Sequence, residues 1–113
     1  MSINKAILVG NLGKDPEVKQ TGTGRTMVTF TLATSNKFKD KQGVQQERTD
    51  WHNIVAWGKT GELMQSMLKK GSEVLIKGKV TSRKYEDKDG QTRYLTEIVA
   101  NEFLSFSKKE MPF

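Results

Sequence analysis

Residues 73–85, Glu73-Val74-Leu75-Ile76-Lys77-Gly78-Lys79-Val80-Thr81-Ser82-Arg83-Lys84-Tyr85, read as one long β-strand with two chemically different faces. Side chains alternate across a strand, so Val74, Ile76, Gly78, Val80 and Ser82 share a small, apolar face. Leu75, Lys77, Lys79, Thr81, Arg83 and Tyr85 share the other, which is basic and ends in an aromatic ring. Asp87-Lys88-Asp89-Gly90 follows, and Asp-Gly between two β-prone runs is the strongest short-range sign of a hairpin. Arg93 to Phe106 is then the returning strand. Upstream, Thr60 to Lys70 is predicted as the one helix: Leu63 with Met67 and Met64 with Leu68 form i/i+4 pairs on one stripe. Two lysines fall in its last turn, and Gly71 is placed as its C-cap.

Further towards the N-terminus the periodicity is again two. Asp50 to Trp57 is a strand, with Trp51, Asn53, Val55 and Trp57 on one face and His52, Ile54 and Ala56 on the other. Asn36 to Thr49 is polar and reads as a long loop or a protruding hairpin. Met27 to Ser35 alternates, Val28, Phe30 and Leu32 facing one way and Met27, Thr29 and Thr31 the other. Thr21-Gly22-Thr23-Gly24 is a flexible loop, and Glu17 to Gln20 a short extended piece after the Asp15-Pro16 turn. Ile3 to Leu12 is an apolar strand whose Gly10 marks a bulge or a close backbone approach. Three strands, one helix and two strands is the order of an OB-fold, a five-stranded Greek-key barrel with a helix between strands 3 and 4. One domain is expected over residues 1–107, followed by a short tail, 108–113.

Composition narrows the function classes. The chain has 113 residues, with 19 basic against 13 acidic side chains, and its +6 charge points to a polyanion or only to solubility. With no cysteine there is no disulfide framework, no Cys-ligated zinc and no thiol catalysis, which fits a cytosolic protein. Met1-Ser2-Ile3-Asn4-Lys5 lacks the apolar run of a signal peptide, and the apolar stretch from Ala6 to Val9 is too short to cross a bilayer. Gly58-Lys59-Thr60 falls short of a phosphate-binding loop because Asn53 stands where the motif needs its first glycine. Asp87 and Asp89 open like a calcium loop, but the remaining ligands are missing. No cofactor, metal site or catalytic set is expected.

Holding an unpaired nucleic acid strand takes cations spaced along phosphates and flat rings on which bases stack. The strand at 73–85 carries both on one face. Trp51 and Trp57 could equally be core residues, although a barrel this small leaves little room for Trp57 opposite Val28, Phe30 and Leu32. Phe38, between Lys37 and Lys39 in a polar segment, is badly placed for a core and well placed for stacking.

Six stretches carry a specific resemblance: residues 4–13 (NKAILVGNLG), Asp15-Pro16-Glu17-Val18, Phe30-Thr31-Leu32-Ala33-Thr34-Ser35, Trp51-His52-Asn53-Ile54-Val55, Leu68-Lys69-Lys70-Gly71-Ser72 and Tyr94-Leu95-Thr96-Glu97. In this order they resemble bacterial-type single-stranded DNA-binding proteins over nearly the whole chain. The resemblance implies an OB-fold assembled as a homotetramer, around which the strand wraps. It implies base stacking on Phe38, Trp51, Trp57 and Tyr85, and phosphate contacts from Lys5, Lys19, Lys59, Lys70, Arg83 and Lys84. Lys37, Lys39, Lys77 and Lys79 join that set from the strand and loop reading. Asn53 and Thr81 are neutral where relatives often carry a basic residue, and His52 matches a histidine at a subunit interface. In the family a flexible linker leads to an acidic tip ending in Pro-Phe that recruits replication and repair proteins. Here Met111-Pro112-Phe113 would be that tip, expected as a natural terminus with almost no linker. The acidic run is absent, Lys108-Lys109 standing before the tip instead, which fits a phage- or plasmid-borne version. Other readings stay open: an OB-fold adaptor that mainly docks proteins in a primosome or replisome, and an RNA-binding module of cold-shock type.

Overall fold

The computed structural model describes residues 1–106. Its elements are β1 (Ala6–Leu12), β2 (Glu17–Gln20), β3 (Thr26–Lys39), β4 (Gln45–Trp57), α1 (Gly58–Met67), β5 (Glu73–Glu86) and β6 (Thr92–Phe106). The sheet runs β1-β5-β6-β4-β3-β2, and β1 also pairs with β3, which closes it. β1 and β2 lie end to end along one edge of β3: Asn11 and Leu12 face Ala33 and Leu32, while Glu17 to Gln20 face residues 29 to 26. They are two pieces of one barrel strand, interrupted at Pro16, whose nitrogen cannot donate to a ladder. The result is the expected five-stranded OB barrel.

Alternation sorts the core as anticipated. Val28, Phe30 and Leu32 of β3, Ile54 and Ala56 of β4, Val74 and Ile76 of β5 and Ile98 and Ala100 of β6 all point inward and are buried. α1 plugs one end with Met64, and Leu68 just beyond it adds to the same cluster. Fully burying side chains of this size stabilises by roughly 1.5–3 kcal/mol each, before the entropy of ordering is counted.

Two expectations need correction. The helix spans Gly58–Met67, not residues 60–70, and only half of the expected stripe is buried: Leu63 and Met67 are exposed. Leu68 turns extended to drop into the core while its N–H still bonds the Met64 carbonyl at 2.9 Å. Lys69 and Lys70 therefore lie beyond the helix. Gly71, at φ +89°, serves the following reversal, where its N–H reaches the Leu12 carbonyl. Second, β1 begins at Ala6, because Asn4 pairs through its side chain instead: Nδ2 donates to the Val80 carbonyl at 2.7 Å and Oδ1 accepts from the Val80 N–H at 2.9 Å.

Of the two readings of the polar segment 36–49, the protruding hairpin holds: β3 and β4 pair without a break from Met27–Trp57 out to Lys39–Gln45. Its turn repeats the geometry of the Asp87–Gly90 hairpin. In each, the aspartate's carboxylate accepts from the backbone N–H two and four residues on, and a glycine takes a positive φ. Hydrogen bonds hold both carboxyl pKa values below their ordinary range, Asp40 chiefly through the Val44 N–H and Asp87 chiefly through the Arg93 side chain, with the Gln91 N–H second.

Closure depends on a glycine. A Cβ on Gly10 would collide with the backbone carbonyl of Ala33, where β1 meets β3. Gly10→Ala is expected to cost about 1–3 kcal/mol, as overpacking does, whereas Gly22→Ala, with open space around it, should leave stability nearly unchanged. Thermal unfolding of the two variants provides the check; equal midpoints would contradict the closure argument.

Candidate nucleic-acid interface

Register shows how the two functional faces read in the sequence relate. Lys79 of β5 pairs with Val99 of β6, Val99 with Val55 of β4, Val55 with Thr29 of β3, and Thr29 with Glu17 of β2. Paired residues point to the same side of a sheet, so the basic face of β5 and the tryptophan face of β4 are one continuous outer surface. Arg83 stands four residues past Lys79, and Trp51 four before Val55, at the same level along oppositely running strands. Trp57 lies towards the other end, roughly 20 Å from Trp51 along β4.

Each tryptophan has a distinct setting. Trp51 heads a row with Ala33 and Asn11 and is 61% exposed. Its indole extends across β3 over Gly13, where a Cβ would run into the ring and into Thr31 Oγ1. One ring face thus rests on a floor that only glycine provides. Trp57 is half-buried at the strand-to-helix junction, in a row with Met27 and Lys19, and the Arg25 guanidinium lies 4.4 Å from its ring centroid. Tyr85, also exposed, shares the outer face with Lys77, Lys79 and Arg83.

The remaining expected residues divide. Lys37 and Lys39 share the tryptophan parity along the β3–β4 arm, but Phe38, 49% exposed, points from the opposite side of that ribbon. Lys84 likewise lies on the opposite face of β5 from Arg83, its ammonium 5.7 Å from the Tyr94 ring. Lys5 and Lys77 line a shallow groove of about 350 Å³ together with Ile3, Asn4, Gly78, Asn101 and Glu102, and Lys77 Nζ is 3.7 Å from Glu102 Oε2. Lys59 is exposed in the first turn of α1; Lys70 is exposed in the turn after it, its backbone N–H held by Asp15 Oδ1 at 2.7 Å. His52 faces the inner side, half-buried, with Nε2 2.9 Å from Thr34 Oγ1. The tip Met111-Pro112-Phe113 lies outside the described residues.

Arg83 is not a free cation. Its Nε donates to Glu97 Oε1 at 2.8 Å and its Nη2 approaches Oε2 at 3.4 Å, and the Glu97 hydrogen bond raises the guanidinium's pKa further. Glu97 is 8% exposed, a carboxylate seated in the middle of the basic surface. Sequence reasoning missed this pairing, and Arg25 and Gly13 with it. All three depend on register between strands, which within-strand alternation does not supply. Among the described residues no cluster of His, Asp or Glu could hold a metal ion, and no helix is long and apolar enough to cross a membrane.

The model of the single-strand binding protein family matches residues 3–106. The chain belongs to that family. The resemblance carried by the six motifs is borne out. Single-stranded DNA-binding protein 1 of Chlorobaculum tepidum is 47% identical over 109 residues, covering 96% of this chain and 67% of the relative. The single-stranded DNA-binding protein of Xylella fastidiosa is 52% identical over 100 residues, covering 88% of this chain and 61% of the relative. The chain thus spans about three-fifths to two-thirds of the length of these curated relatives. Among solved structures, the Plasmodium falciparum SSB complex with ssDNA superposes with a TM-score of 0.86 at 29% identity, over 95% of this chain and 97% of that one. A deletion mutant of the single-stranded DNA binding protein from Thermus aquaticus has the same fold, with a TM-score of 0.82 at 23% identity, over 95% of this chain and 52% of its own.

The glycine floor under Trp51 can be tested without any ligand. In a Trp57→Phe background, Gly13→Ala should push the Trp51 indole outward, increasing its quenching by acrylamide and red-shifting its emission. Unchanged quenching would mean that the ring does not rest on Gly13.

Proposed function

We propose that this chain binds single-stranded DNA with little regard to base sequence, protecting unpaired strands during replication, recombination and repair without catalysing a reaction. The observation that carries the reading is the continuity of the outer surface, on which the exposed rings of Trp51 and Tyr85 and the half-buried ring of Trp57 stand among lysines of three strands. Rings accept any base because every base has a π-face, and lysines accept any phosphate. Membership of the single-strand binding protein family supports the same reading. Phe38 contributes stacking from the other side of the arm. Of the expected phosphate contacts, Lys5, Lys19, Lys37, Lys39, Lys59, Lys70, Lys79 and Lys84 have no carboxylate partner among the described residues and are the readiest donors. Lys77, its Nζ 3.7 Å from Glu102 Oε2, is next. Arg83 acts from within its ion pair, and Lys84 along the far side of the hairpin.

The protein works as a homotetramer in the cytoplasm, at the bacterial nucleoid or in a phage-infected cell. Support for self-association comes from apolar side chains facing outward in a row, Val9 with Leu75 and Leu104, with Ile7 and Phe106 beside them. Exposed contiguous apolar surface of this kind marks an interaction site more often than a bare face. His52 belongs to the subunit interface on the family pattern.

Oligo-dT should quench the fluorescence of Trp51 and Trp57, with little response to duplex of equal length. Trp51→Ala should weaken binding by about 1–3 kcal/mol, the worth of one base–ring stack. Affinity should fall with salt by a slope of about 0.7 per phosphate neutralised. Light scattering should give about four times the 12.8 kDa of one chain for the free protein, and that mass plus the bound oligo-dT after saturation. Equal affinity for duplex would defeat the binding reading, and a monomer the assembly reading.

Glu97→Gln keeps the shape of the Arg83 partner and removes its charge. It should tighten oligo-dT binding and steepen the salt dependence by about one phosphate contact, at some cost in thermal stability. A variant with unchanged salt slope would show that Arg83 makes no phosphate contact even when released.

A further inference from the structure

We infer that Arg25 is a strand-contact residue: held on the face of Trp57, its guanidinium binds the phosphate next to the base that this ring stacks. The inference rests on the single-stranded DNA reading and adds to it a residue that neither the strand patterning nor the family motifs assign.

The placement follows from register. Met27 is the partner of Trp57, and Arg25, two residues earlier, has the same parity. It is therefore a diagonal neighbour of Trp57, within reach for a long side chain, and the guanidinium carbon lies 4.4 Å from the ring centroid. The backbone around it is fixed independently of the side chain. The Thr21 N–H donates to the Arg25 carbonyl at 2.9 Å, the Arg25 N–H donates to Thr21 Oγ1 at 3.2 Å, and Gly24 turns the loop at φ +81°. Arg25 thus projects from a tight loop at the mouth of β3, and the ring narrows the positions that its head can take.

Charge bookkeeping separates this arginine from the others. The chain has four arginines. Arg48 pairs with Asp50, Arg83 with Glu97 and Arg93 with Asp87. Arg25 is exposed and has no carboxylate partner among the described residues. Guanidinium matches phosphate with a planar fork of N–H donors and is weakly hydrated, so it stacks and bonds an anion at once. Lys19, in the row with Met27 and Trp57, places a second cation on the same side. A purely structural arginine on this ring would gain only the modest attraction of an exposed cation–π pair and would leave the salt dependence of binding alone.

The experiment is an equilibrium titration of oligo-dT across a salt series with wild type, Arg25→Ala, Arg25→Lys, Trp57→Ala and the Arg25→Ala/Trp57→Ala double variant. Arg25→Ala should weaken binding about five- to tenfold at moderate salt and lower the slope of log affinity against log salt by about 0.7. Arg25→Lys should keep the slope while losing part of the affinity. The double variant should lose less than the product of the two single losses, since ring and guanidinium act together. Thermal midpoints of the Arg25 variants should match wild type, the loop's backbone bonds being untouched. An unchanged slope and affinity in Arg25→Ala, with wild type binding normally, overturns the inference and leaves the function standing. Tighter binding by Arg25→Ala also overturns it, making Arg25 an obstruction on the ring. Failure of wild type itself to bind refutes the functional reading instead.

Discussion

Two residue pairs, Ile54 with Ile98 and Val55 with Val99, join the β3–β4 hairpin to the β5–β6 hairpin. This short parallel contact is what makes a single surface out of a tryptophan ribbon and a basic ribbon. So few ladder bonds are a weak tether by themselves, and packing does the rest: Ile54, Val55 and Ile98 are all buried. Val55 is the telling residue, because its parity is outward. It is closed over nonetheless, so the centre of the outer face is an apolar seam with rings and cations on either side. Below the seam, α1 seats Gly61 against Ala56 and Val28 closely enough that a Cβ there would crowd the Ala56 carbonyl. The barrel plug and the surface seam therefore brace the same short segment of β4 from both sides.

The two kinds of basic side chain are used differently. Three arginines are tied to carboxylates, and two of those pairs stiffen hairpins: Arg93 with Asp87 at a turn and Arg83 with Glu97 along a ladder. Among the described residues the lysines are mostly unpaired, Lys14 and Lys77 excepted. An ammonium on a flexible stem is a compact charge with no preferred plane, which suits a partner whose phosphates arrive at no fixed position. On the proposed function, long-range attraction from the +6 net charge then supplies encounter and steep salt dependence, while the rings supply local grip. Glu97 sets a limit on this field. A carboxylate so nearly buried among cations keeps Arg83 in place on the strand, at the cost of one positive charge at the centre of the surface.

What was legible in the sequence was whatever depends on neighbours along the chain. Alternation alone put Val28, Phe30 and Leu32 on one face and Trp51 and Trp57 together on another, without deciding whether the tryptophans face the core, and Asp89-Gly90 marked its turn. The matching turn at Asp40-Lys41-Gln42-Gly43 has its Asp and Gly at the spacing of Asp87 and Gly90, but its polar arms carry no apolar alternation, which left loop and protruding hairpin both open until strand pairing chose the hairpin. The helix end was misjudged because the pattern of Leu63, Met64, Met67 and Leu68 allows two stripes, and only packing chooses between them. Arg25 over the Trp57 ring and Arg83 against Glu97 require knowing which residue of one strand stands beside which residue of another. No local pattern encodes that.

The parity of Phe38 bears on how a strand must run. A strand stacked on Trp51 and Trp57 lies along the outer face of β4, where Lys37 and Lys39 continue the line on the arm. Phe38 is between them in sequence but on the reverse of the ribbon, so no straight path on one face touches all of these groups. On the proposed function, a strand that uses both Trp51 and Phe38 passes round the edge of the two-stranded arm, its phosphates near the lysines during the crossing. The same arm thus presents cations on one side and a ring on the other. That arrangement favours a curved path over a flat one, and unpaired DNA can bend this way where duplex cannot. Selectivity for single strands then comes from the shape that the arm imposes as well as from the rings themselves.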